Sequence, residues 1–273
     1  INGQGVNAAV YALLAFDAKQ YEIPAAKAGE TQTTREGLIQ KILDAQLSDG
    51  GWDYSGIGAD PDMTAMVLQA LAPYCSSNAA VQAAVDRGLS ALSAIQNPDG
   101  TYSSWGYTSS YSLAQVLTAL SILKVDPLTD SRFIKNGRTV IDALGDFYVP
   151  GEGFKGNIDD TAVAAGANVQ AAYALVAYQR YVGGRNSLYD MRDAEAEENP
   201  TTTETTTEAT TEATTAATTA TVTTATTEAT TASGDKAAKT PTTGDATPVA
   251  VIVFLMAVSM AGVVIAGKKK AQR

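Results

Sequence analysis

The chain has 273 residues, a formal charge of −10 and no histidine. An acidic surface repels nucleic-acid phosphates, which excludes a nucleic-acid partner. Without histidine the usual general base and the commonest metal ligand are missing, and the single cysteine, Cys75, allows neither an internal disulfide nor a multi-cysteine zinc site, so no metal or resident cofactor is expected.

The chain opens at Ile1 with neither an initiator Met nor a secretory leader, and Ile1 to Tyr21 reads as the last helix of an earlier, truncated unit. Thr33-Thr34-Arg35-Glu36 offers a capping box before Leu38, Ile39, Ile42 and Leu43 at helical spacing. Gln46 to Trp52 then forms a Gly-rich turn, and Asp60-Pro61 starts a second helix with an N-cap and a Pro in its first turn. The same grammar returns at Gln96 to Tyr102 followed by Ser112 to Leu120. It returns more loosely at Gly151 to Phe154 followed by a helix over Thr161 to Tyr181. Between these, Asp130 is positioned to cap a helix carrying Phe133, Ile134, Val140, Ile141 and Leu144. Helices after each turn are apolar on most sides and those before it are amphipathic, so the pattern predicts an inner and an outer layer. No segment alternates like a strand, so residues 1–190 read as all-α.

Gln-x-x-x-Gly-Gly-Trp at Gln46 to Trp52 resembles the Gln-Trp repeat of the prenyltransferase and squalene-oxidase repeat family. The resemblance implies a partial α/α-toroid of helical hairpins over 1–190. It also implies that Trp52, Tyr102 and Phe154 lock adjacent hairpins while Gln46 and Gln96 bond turn backbone. Asp60-Pro61-Asp62-Met63-Thr64-Ala65 is similar to the Asp-x-Asp-Asp-Thr-Ala motif of class II terpene cyclases, in which Asp62 would take the place of the acid. Asn157 to Ala162 echoes it through Asp159 and Asp160. The plainer expectation is that both motifs cap helices. Cys75 lacks any neighbour that would activate it, and reads as a small core residue. Tyr54, Trp105, Tyr107 and Tyr111 lie in or near loops leading into inner helices, where a flat apolar ring with a polar tip suits ligand binding.

Past the helical region the composition changes. Residues 191–239 form a Thr-, Ala- and Glu-rich tract without the large apolar residues that offset ordering entropy, and read as a disordered stalk. Thr240-Pro241-Thr242-Thr243-Gly244-Asp245, an apolar run over 248–267 and a basic tail over 268–273 follow in order. The run is long enough for a transmembrane helix, and the lysines place it basic side in. Together these resemble a sortase sorting signal of Gram-positive bacteria. Pro241, Thr243 and Gly244 match the Leu-Pro-x-Thr-Gly pattern and Thr240 stands where Leu is usual. The resemblance implies cleavage between Thr243 and Gly244, with sortase and peptidoglycan as partners at the extracellular face. The expectation is a surface-anchored binding module for a cobalamin-type cofactor, a glycan or a protein. The alternative is an extracellular enzyme, terpenoid-cyclase-like or glycan-active, with Asp60, Asp62, Asp159 and Asp160 as its acids.

Overall fold

A computed structural model of the chain describes residues 5–190 and 192–193. The stalk, the motif at Thr240 to Asp245 and the apolar run over 248–267 lie outside the described residues. Seven helices carry the fold: α1 (Gly5–Asp17), α2 (Arg35–Asp44), α3 (Pro61–Leu71), α4 (Ala79–Ile95), α5 (Ser110–Ile122), α6 (Val140–Gly145) and α7 (Ala165–Val182). Two hairpins of two-residue strands join them: β1 (Ser103–Ser104) with β2 (Tyr107–Thr108), and β3 (Tyr148–Val149) with β4 (Gly153–Phe154). The region is mostly α, with strand confined to these hairpins among the described residues. No helix among those residues is long and apolar enough to cross a membrane.

The odd-numbered helices form a row in which α1 packs on α3, α3 on α5, and α5 on α7. Each of the first three also packs on the helix that follows it, giving the pairs α1–α2, α3–α4 and α5–α6. The row explains the apolar sequences. α3 and α5 have a neighbour on both sides and a second layer behind, so nearly every residue from Met63 to Leu71 and from Ser112 to Ser121 is buried. α2 and α4 bury one stripe each, Leu38, Ile39 and Ile42 in α2 and Val81 to Leu92 at helical spacing in α4. α7 departs from the expectation of an inner helix buried all round. It ends the row, and leaves Val169, Val176 and Val182 exposed.

The turns between layers are built from side chain to backbone bonds. Nε2 of Gln46 donates to the carbonyls of Gly50 and Ala84, both at 2.8 Å, and Nε2 of Gln96 donates likewise to Gly100 and Phe133. Both turns share the same backbone bonds, with Gly50 and Gly100 in the left-handed region. A Cβ on Gly50 would also sit 2.8 Å from the carbonyl oxygen of Arg87. Trp52 is fully buried. Its indole N–H donates to the Ile42 carbonyl at 2.8 Å, and its backbone N–H bonds Oγ1 of Thr64. Tyr102 and Phe154 occupy the equivalent core positions.

Three local readings need correction. Thr34 caps α2 by accepting from the Gly37 N–H, but the third helical residue is that glycine, so no reciprocal capping box forms. Asp130 caps a short 3-10 turn over Ser131–Phe133, not the helix beyond. α6 is a separate helix with its own capping box, Thr139 with Asp142. The last helix starts at Ala165, because Ala164 bonds back to the Phe154 carbonyl and extends the preceding segment.

Candidate functional site at the loop end of the inner helices

Three loops meet at the N-terminal ends of α3, α5 and α7. The first, 53–59, is closed by Asp53, whose Oδ2 accepts from the backbone of Ser55 and Ile57, and by Asp49, which accepts from Ala59. The second is the β1–β2 hairpin. Oγ of Ser104 donates to Oδ2 of Asp60 at 2.5 Å and so ties the hairpin to the cap of α3. The third, 155–162, joins the hairpin on its other side, where Ile158 N–H bonds the Thr108 carbonyl and Ser110 N–H bonds Gly156. The loops therefore bring most of the sequence-predicted site residues to one end of the domain.

The aromatic residues form the outer part of this end. Tyr54 is 66 % exposed, Trp105 74 % and Tyr107 65 %, while Tyr111 is half-buried at the start of α5. Trp105 and Gly106 are the two central residues of the hairpin turn, at φ 51° and 84°. Asn-Gly suits such a turn; a bulky residue in the left-handed region costs about 1–2 kcal/mol. The chain therefore holds a large apolar ring in water at the expense of local strain. Tyr111 lies under the third loop, its ring against Gly156 and Gly166.

The four acids divide into distinct roles. Asp60 caps α3, accepting from the Met63 N–H at 2.9 Å. Asp160 caps no helix. Its Oδ2 accepts from the Asn157 N–H and closes the third loop, which corrects the helix-cap expectation for this motif. Asp159 is exposed. Asp62 stands apart: burial pushes its pKa up to about 6, with Asp60 adding to the rise and the nearby Ser112 and Ser104 hydroxyls opposing it. Neither hydroxyl reaches Asp62 in good hydrogen-bond geometry. Oδ1 of Asp62 and Oγ of Ser112 are both buried without a partner. None of the four acids lines either of the two clefts described for this domain.

Below Asp62 a polar column runs between α3, α5 and α7. Nε2 of Gln69 donates to Gln115, Nε2 of Gln115 donates to Tyr173 and Gln170, and the Tyr189 hydroxyl donates to Oε1 of Gln69. Burial raises the pKa of Tyr173, and the charge of Asp62 adds to it. The column ends at a cleft of about 730 Å³ near the C-terminal ends of α1, α3 and α5, lined by Asp17, Arg35, Gln69, Tyr74 and Tyr189 among others. Arg35 and the Tyr74 hydroxyl both bond the Asp17 carboxylate there, at 2.7 and 2.6 Å. None of the expected site residues lines that cleft. The sequence signal for the column was a glutamine interrupting each apolar helix, at Gln69, Gln115 and Gln170. Cys75 is half-buried, its thiol pKa raised by burial. Among the described residues no group of acids and thiols is placed to hold a metal.

Compared with known proteins, the chain matches no family model, no curated protein and no solved structure.

Proposed function

We propose that the chain is a cell-surface binding module: a partial α/α-toroid of helical hairpins carried outward on the Thr-rich stalk and held by the C-terminal signal. Sortase would cleave between Thr243 and Gly244 and join Thr243 to peptidoglycan. The observation that carries the binding function is the exposed rim of Tyr54, Trp105 and Tyr107, with Trp105 presented at a backbone cost. Strain kept at an exposed position points to use of that residue. Immobilised polysaccharides, proteins and a corrinoid test the reading against the full chain. At least one class should retain it, and a Tyr54→Ser/Trp105→Ser/Tyr107→Ser variant with unchanged melting temperature should be released. No retention by any class, or retention indifferent to the triple change, contradicts it.

The enzyme reading keeps one observation in its favour. A buried carboxyl with its pKa near 6 is suited to general-acid work near neutral pH. It requires a turnover that Asp62→Asn abolishes while ligand retention persists.

A further inference from the structure

We infer that the loop end recognises a neutral glycan, its sugar rings lying on Trp105 and its neighbouring tyrosines and its hydroxyls bonding the carboxylates beside them. The inference deepens the binding-module reading and rests on it.

Three observations converge. First, the rings are free: among the described residues, Tyr54, Trp105 and Tyr107 stack on no other aromatic ring. A pyranose presents flat C–H faces to such rings, and aromatic surface with a polar tip serves both its apolar and its hydroxyl sides. Second, hydrogen-bonding groups lie directly beside the tryptophan. Ser104, the residue before it, bonds the Asp60 carboxylate, and Asp53 and the exposed Asp159 lie in the two loops on either side of the hairpin. Sugar hydroxyls are donors, and their bonds to carboxylates are the stronger, charge-assisted sort. Third, the charge disfavours anionic partners. The segments 47–65, 100–115 and 150–165 carry Asp49, Asp53, Asp60, Asp62, Glu152, Asp159 and Asp160 against the single cation Lys155. Lys155 already donates to the Ile158 carbonyl at 2.6 Å. Phosphate-bearing lipid or an acidic polymer would meet an excess of carboxylates over cations in these segments.

The two tryptophans make the test simple, because Trp52 is fully buried and Trp105 is exposed. The full chain is titrated with cellotetraose, xylotetraose, maltotetraose, mannotetraose and tri-N-acetylchitotriose while tryptophan emission is followed, and the parent and its Trp105 variants are titrated by calorimetry, since Trp105→Ala removes the emitting ring. In parallel arms it meets anionic phosphatidylglycerol vesicles and an oligolysine peptide. At least one sugar should give a saturable change, with Trp105→Ala weakening it about tenfold or more and Trp105→Phe keeping most of it. No saturable change with any sugar up to about 10 mM overturns the inference. If vesicles or oligolysine titrate instead and Trp105→Ala abolishes that signal, the glycan assignment falls and the binding-module reading stands. If sugars bind and Trp105→Ala leaves affinity unchanged, the assignment of the glycan to this rim is wrong.

Discussion

Asp62 is the residue whose chemistry costs the fold most visibly. Its carboxyl is pushed from the ordinary 3.8 to about 6, chiefly by burial. A first-turn position on a helix favours the charge by up to about 1 kcal/mol, too little to offset that burial. The native state therefore binds the proton more tightly than the unfolded chain does. Below pH 3.8 both folded and unfolded chains carry the neutral acid and the preference costs nothing. Between 3.8 and about 6 the unfolded chain ionises first, and stability falls with rising pH, by an upper limit of about 3 kcal/mol. Asp62→Asn removes this dependence. Chemical denaturation should find the variant close to the parent near pH 4 and about 1–3 kcal/mol more stable near pH 7. A variant less stable at both pH values would mean that Asp62 is held by favourable contacts and is no functional liability. Asp60 shows the contrast: it occupies the same motif and is an ordinary N-cap. The sequence placed both acids on one helix start, but only burial, which depends on α5 and the hairpin, separates their roles.

At the scale of elements, apolar periodicity made most of the helices legible. α3 and α5 were readable because burial on both sides leaves no polar face, and Asp60-Pro61 marked the start of α3 from local chemistry alone. The turns were readable because Gly50 and Gly100 need the left-handed region and Gln46 and Gln96 donate to the turn carbonyls. The hairpins were not. Two-residue strands give no alternation to read, and Ser104's bond to Asp60 spans 44 residues of chain. The break between Phe133 and Val140 was hidden for a similar reason, since a continuous apolar spacing can be shared by a 3-10 turn and a helix. Close packing between layers gives a direct check. A Cβ on Gly88 of α4 would stand 2.9 Å from both Leu68 and Trp52. Gly88→Ala should therefore lower stability by about 1–3 kcal/mol despite the better helix propensity of alanine, because the buried ring cannot retreat. Equal or greater stability in thermal denaturation would show that α3 and α4 are looser than described.

For the whole molecule, the domain and its location rest on separate arguments. The row of inner helices with a second layer behind it follows from packing within 5–190. The proposed outward placement rests on the composition of residues beyond it: a Thr-rich tract, Pro241, Thr243 and Gly244, an apolar run and a cluster of lysines. An uncharged stretch of about 20 residues is long enough for a bilayer, and lysines next to it stay on the cytoplasmic side. A binding rim has a use only where its ligand can reach it, so placement is the claim on which the function depends. Protease shaving of intact cells producing the full-length protein measures it. Trypsin should release peptides from the Lys- and Arg-bearing loops of 5–190 while a cytoplasmic control stays whole, and the wall fraction freed by muramidase should carry the chain ended at Thr243. Peptides from the helical domain that appear only after lysis would contradict the account.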